Sequence, residues 1–143
     1  MNKCSSARTR TGALHLTQKV DYGLFLLSVL ARQKSEGQLS IRTITKEHQL
    51  SFAFLQKVAR LLKNSGLIVA SRGKYGGYTL AKSPKHIRLK SVIDALEGPL
   101  TRIDCAYGSC ARQEFCSLQK GLKKINDEIT QSYLSKTLSS LIE

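Results

Sequence analysis

The chain has 143 residues and a mass of 15.8 kDa, enough for one domain, or one domain plus an oligomerisation helix, and too little for a multidomain enzyme. Its 41% hydrophobic and 23% charged residues are ordinary for a globular protein, and two prolines and ten glycines do not suggest disorder. The net charge of +13, from 23 Lys and Arg against 10 Asp and Glu, calls for a polyanionic partner: nucleic acid or an acidic membrane surface.

The charge is unevenly placed. Residues 1–39 carry +4, residues 40–90 carry +10 and residues 91–143 carry −1, which puts the expected polyanion site in the middle of the chain. Residues 1–13 form a polar, basic extension holding Cys4, without the apolar core of a secretory signal. The longest apolar run, Leu24 to Leu27 extended by Val29, Leu30 and Ala31, is far shorter than the roughly 20 residues that span a bilayer. The expected location is the cytoplasm, where four cysteines serve as metal ligands, redox groups or small apolar residues rather than as a disulfide framework.

From Leu16 to Ala31, Val20, Leu24, Leu27 and Leu30 recur at three- and four-residue steps, the pattern of an amphipathic helix with Thr17 as its N-cap. Ser40 can cap a short helix holding Ile41, Ile44 and Leu50. Ser51 then caps a third helix, in which Phe54, Leu55, Val58, Leu61 and Leu62 form the buried stripe and Gly66 supplies a left-handed end. Gln56, Lys57, Arg60, Lys63 and Asn64 remain on its outer face. The β-rich run Leu67 to Ser71, the turn Arg72-Gly73-Lys74-Tyr75-Gly76-Gly77 and the run Tyr78 to Ala81 make a hairpin. The predicted fold class is mainly α with a small β-hairpin wing: a winged helix-turn-helix over residues 14–82, plus a long C-terminal dimerisation helix.

This arrangement fits double-stranded DNA. A recognition helix enters the major groove, roughly 12 Å wide, and reads base edges, while a basic wing reaches the backbone or a narrow minor groove. The predicted DNA-binding set is Ser51, Gln56, Lys57, Arg60, Lys63, Arg72, Gly73, Lys74, Tyr75, Gly76 and Gly77. Gln56 is the candidate base reader, and Lys57, Arg60 and Lys63 are phosphate contacts, since phosphate and sugar take half to two-thirds of such hydrogen bonds. The wing glycines either cradle phosphate or supply a tight turn with positive φ.

Residues 83–99 form a linker and a short helix, Lys90 to Glu97, stopped by Gly98-Pro99. Residues 100–117 hold the pattern Cys105-x4-Cys110-x5-Cys116, a concentration that packing does not explain. The spacing admits an iron–sulfur cluster, a structural zinc site lacking a fourth ligand nearby, a thiol switch or inert cysteines. From Leu118, the residues Leu122, Ile125, Ile129, Tyr133 or Leu134, Leu138 and Leu141 continue one apolar seam through residues 118–143. A winged helix of this size leaves such a helix little to cover, so a homodimer is expected. Its two readers would lie about one DNA turn, roughly 34 Å, apart and bind a palindromic operator.

The chain resembles the Rrf-two family of bacterial transcription regulators, in particular its iron–sulfur-sensing and nitric-oxide-sensing members. The resemblance runs from Leu16 onward. It rests on Leu16-Thr17 through Asp21-Tyr22, Leu62-Lys63-Asn64-Ser65-Gly66-Leu67-Ile68, the wing Arg72 to Tyr78, Glu97-Gly98-Pro99 and the three-cysteine loop. It implies a homodimer with crossed long helices, base reading by Gln56, minor-groove entry by Arg72, and an iron–sulfur cluster of the 2Fe-2S or 4Fe-4S type on Cys105, Cys110 and Cys116. Two departures stand out: only four residues separate the first two cysteines, and Gln119 stands where some members have a ligating His. The resemblance offers Asp21 as an oxygen ligand in the partner chain's cluster, which would leave an exchangeable position open to nitric oxide or oxygen. Asp21 can equally be a first-turn acid facing the helix dipole. A cluster-free regulator of the same fold, sensing through thiols or docking a partner, is the alternative. An enzyme is not expected, because the chain has no C-x2-C motif and its aspartates are scattered.

Overall fold

The computed structural model describes residues 17–33, 37–73, 76–98 and 111–142. Its first three helices are α1 (Gln18–Arg32), α2 (Ile41–His48) and α3 (Phe52–Asn64). Each begins at the polar residue expected to cap it. The side chains of Thr17, Ser40 and Ser51 accept hydrogen bonds from the amides of Val20, Arg42 and Phe54 at 3.3, 3.1 and 3.4 Å, satisfying donors that the first helical turn leaves free. Between α2 and α3 the chain turns through Gln49, which is left-handed at φ 53°, and the Leu50 amide returns to the Thr45 carbonyl. Gly66, at φ 69°, ends α3 as its position predicts.

The apolar stripes then converge. Val20, Leu26, Leu27 and Leu30 of α1 pack with Leu55, Val58, Ala59 and Leu62 of α3, and with Val92, Ile93 and Leu96 of α4 (Leu89–Glu97). Each fully buried leucine contributes about 2 kcal/mol of transfer free energy. Gly23 is the contact point of α1 with α4: a Cβ there would meet the Leu96 side chain at 2.3 Å. Edge-to-face ring pairs, Tyr22 with Phe54 and Phe25 with His48, both at 4.9 Å, fix α1 against α3 and α2.

The hairpin consists of β1 (Ile68–Ser71) and β2 (Gly77–Leu80), antiparallel, with Ile68 opposite Leu80 and Ser71 opposite Gly77. A third segment joins it: Leu39 bridges to Tyr78 through paired backbone hydrogen bonds of 3.1 and 2.8 Å. This addition explains Gly77, whose Cβ would lie 2.7 Å from the Leu39 backbone. Among the three wing glycines only Gly73 has positive φ, at 124°. A Cβ at Gly76 would meet the Ser71 carbonyl at 2.5 Å, so close approach rather than a left-handed turn selects glycine at 76 and 77. Gly77→Ala is expected to expel the Leu39 segment, lowering stability by about 1–3 kcal/mol and speeding amide exchange at Leu39 and Tyr78. Unchanged exchange at both amides would contradict this packing account.

Beyond the hairpin, a single 3₁₀ turn, Pro84–His86, leads into α4. The C-terminal region departs from the expected single helix over residues 118–143. Helix α5 (Gln119–Leu134) ends sixteen residues on, and only a short α6 (Ser139–Ile142) follows. Between them the chain folds back onto α4's approach. The Leu89 amide donates to the Lys136 carbonyl at 2.8 Å, the Leu138 amide donates to the Ile87 carbonyl at 2.7 Å, and Arg88 bridges to Thr137. Leu138 thereby leaves the proposed seam and enters the core, where it is 2% exposed. Burying this leucine and forming two backbone hydrogen bonds outweighs one more turn of helix.

Candidate nucleic-acid interface and cysteine loop

The same stripe that buries one face of α3 fixes what the other presents. Gln56, Lys57, Arg60, Lys63 and Asn64 are all exposed, with Ser51 at the leading end. The wing adds exposed Arg72 and Gly73, while Lys74 and Tyr75 lie outside the described residues. Tyr78 is half-buried against the core. On α2, Arg42 and Lys46 are exposed. The Arg42 guanidinium sits 5.7 Å from the centre of the Phe52 ring, in cation–π range. The sequence pattern alone singles out neither residue; the one trace is that Phe52 falls outside the stripe of Phe54, Leu55, Val58, Leu61 and Leu62.

The concentration of charge on this reader is smaller than segment totals suggest. Of the eleven Lys and Arg between residues 40 and 90, Lys82, Lys85, Arg88 and Lys90 follow the hairpin. Lys90 is engaged with Asp94 one turn further along α4. The helix-turn-helix and wing therefore hold Arg42, Lys46, Lys57, Arg60, Lys63, Arg72 and Lys74.

At the opposite end of α4 a polar cluster ties the helices together. The Thr17 hydroxyl donates to Glu97 while capping α1, and the Lys19 ammonium lies 3.2 Å from Glu97 and 2.9 Å from the Leu96 carbonyl. The Thr17 hydrogen bond, helped by Lys19, holds the Glu97 carboxyl below the usual carboxylate range. Gly98, at φ 84°, then ends α4, whose last residue Glu97 is tied in this way to the first turn of α1. Asp21 is exposed in that turn.

Of the predicted loop ligands, Cys116 is described: a free, half-buried thiol following the 3₁₀ turn Gln113–Phe115 and three residues before α5. Cys105 and Cys110 lie outside the described residues, as do Cys4 and the extension. Among the described residues no three His, Cys, Asp or Glu side chains gather as a metal site. Helix α5 presents Leu118 just before it, then Ile125 and Ile129, each more than half exposed. No described helix is long and apolar enough to cross a membrane.

A helix-turn-helix with a basic outer face, joined to a hairpin wing, defines a DNA-binding winged-helix regulator. The chain matches the model of the Rrf2 family, described as an iron-dependent transcriptional regulator, over residues 16–143, and it belongs to that family. It is 29% identical over 119 residues to the HTH-type transcriptional regulator CymR of Bacillus subtilis (strain 168), covering 82% of this chain and 86% of that protein. The solved structure of that CymR, the global cysteine regulator of B. subtilis, superposes with a TM-score of 0.74 at 30% identity over 90% of this chain and 96% of the other. The oxidized form of Staphylococcus aureus CymR gives 0.68 at 30% identity, over 91% and 97% of the two chains. IscR of T. potens gives 0.69 at 27% identity, over 91% and 87%.

Proposed function

We propose that this regulator works as a homodimer on a palindromic duplex operator and that its cysteine loop receives the signal. The observation that carries the reading is the shared frame: the exposed basic face of α3 and the Arg72 wing belong to one packed body, and α4, packed on α1 and α3 in that body, directly precedes the cysteine loop in sequence. Ser51, Gln56, Lys57, Arg60, Lys63, Arg72 and Gly73, with Lys74 and Tyr75, would contact DNA, and Gly76 and Gly77 would shape the wing. The uncovered Ile125 and Ile129 of α5, with Leu118 just before it, support a second copy as the partner of that face.

The signal would be read through Cys105, Cys110 and Cys116 as thiolate ligands of an iron–sulfur cluster, with Asp21 as an oxygen donor. The donor chemistry fits, since thiolates are the usual cluster ligands and the first turn of α1 keeps the Asp21 carboxylate accessible. A bound cluster would supply redox and ligand-exchange chemistry. The likeness to IscR and the family's iron-dependent description support this reading.

A second reading, direct thiol sensing without a cluster, is favoured by the likeness to the global cysteine regulator CymR of B. subtilis and to S. aureus CymR in an oxidized form, and by Gln119 in place of a ligating His. Anaerobic isolation followed by iron and sulfide assay separates the two. The cluster reading expects coloured protein with bound iron and sulfide, both removed by Cys110→Ser. Colourless protein without iron after reconstitution, together with reversible oxidation at the loop cysteines by mass spectrometry, decides for thiol sensing.

A further inference from the structure

The Arg42–Phe52 pair is unexplained by packing. Phe52 is 38% exposed in the leading turn of α3, one helical turn before Gln56 and three residues from the first buried leucine, Leu55. An aromatic ring held at the surface loses part of its transfer free energy unless something covers it. Arg42 covers part of the ring from α2 at 5.7 Å, and the same two helices carry further exposed cations, Lys46 on α2 and Lys57, Arg60 and Lys63 on α3. A partner able to meet both this charge and an apolar ring has phosphates flanking a hydrophobic group. Duplex DNA offers that combination in the major groove, where the thymine C5 methyl is the hydrophobic group of the base edges and phenylalanine is among the side chains that contact it. The first residues of a recognition helix are those that reach base edges.

We propose that Phe52 is a specificity-determining residue that packs on a thymine methyl next to the base read by Gln56, with Arg42 as the positioning residue that holds the ring and faces the adjoining phosphate. The proposal rests on α3 being the DNA-reading helix. A buried methyl group accounts for about a fourfold change in affinity per half-site. Phe52 itself neutralises no phosphate, so its removal leaves the salt dependence of binding unaltered.

The test uses full-length protein isolated anaerobically. Duplexes bound by wild type and by Phe52→Ala are selected from a random-sequence pool, and each thymine of the wild-type site is then replaced by deoxyuridine, which pairs identically but lacks the methyl. The expected result is a loss of about fourfold in wild-type affinity at one thymine in each half-site. Phe52→Ala is expected to lose that sensitivity at that position only, keeping the wild-type salt slope and unfolding temperature, and Phe52→Leu to restore part of it. Arg42→Gln is expected to weaken both the methyl sensitivity and the salt slope. A uracil scan on wild type with no methyl-sensitive thymine, or the same scan in wild type and Phe52→Ala, overturns the proposal while leaving α3 as a reader. Failure of wild type to bind any duplex overturns the reader assignment itself.

Discussion

Replacing Lys57, Arg60, Lys63 and Arg72 together by alanine is expected to abolish operator binding at physiological salt while leaving the fold intact. All four side chains are exposed, so the substitutions create no cavity and leave no buried group without a partner. Affinity for duplex DNA is dominated by counterion release. Each phosphate neutralised adds roughly 0.9 to the slope of log K against log salt concentration. Four lost contacts flatten the slope by about 3.6 in one protomer and by about 7 in the proposed dimer. Contacts in such numbers produce a change of about 10³–10⁵ in affinity between 50 and 200 mM salt, and the variant is expected to lose most of that salt response along with its binding. Fluorescence anisotropy over a salt series measures it. A slope equal to that of wild type would mean that DNA lies on another face, such as the one carrying Lys82, Lys85 and Arg88.

The second large effect concerns stability. Leu138→Ala is expected to destabilise the protein by about 3 kcal/mol, within the range for truncating a buried leucine, and to lower the thermal midpoint by roughly 10 °C. The side chain is 2% exposed, and its amide holds the Ile87 carbonyl beside the start of α4. Leu141→Ala, only three residues on and 48% exposed, should shift the midpoint by no more than a degree or two. Equal effects of the two substitutions in differential scanning calorimetry would show that the C-terminal residues continue the apolar seam of α5 instead of entering the core.

These two cases also mark where local reading of the chain succeeds and where it stops. The caps at Thr17, Ser40 and Ser51, the left-handed Gly66 and the stripe of α3 depend on residues within a few positions of one another, and each is legible for that reason. Exposure of Gln56, Lys57, Arg60 and Lys63 follows from the same stripe. The Leu39–Tyr78 bridge joins residues far apart in the chain and leaves only one trace, the glycine at 77. The end of α5 is similar. Leu138 and Leu141 keep the spacing of Leu122, Ile125 and Ile129, and the segment Ser135-Lys136-Thr137 contains neither Gly nor Pro to interrupt it. What stops the helix is hydrogen bonding to Ile87 and Leu89, which periodicity does not encode. The cysteine loop is legible only as a spacing of donors, because ligand identity depends on which groups converge in space.

The bond from Leu89 to Lys136 has a topological consequence. It closes a circuit of chain: out along α4, through Gly98 and the three cysteines, back along α5, and home to the first residue of α4. A loop that ended in a free tail could change its length or shape and let the tail drift. Inside a closed circuit the two ends of the stretch are held together at Leu89 and Lys136, so a change in the loop acts on α4 and α5 at once. Since α4 packs directly on α1 and α3, a signal received at the cysteines, as proposed, would have α4 as its route to the exposed face of α3.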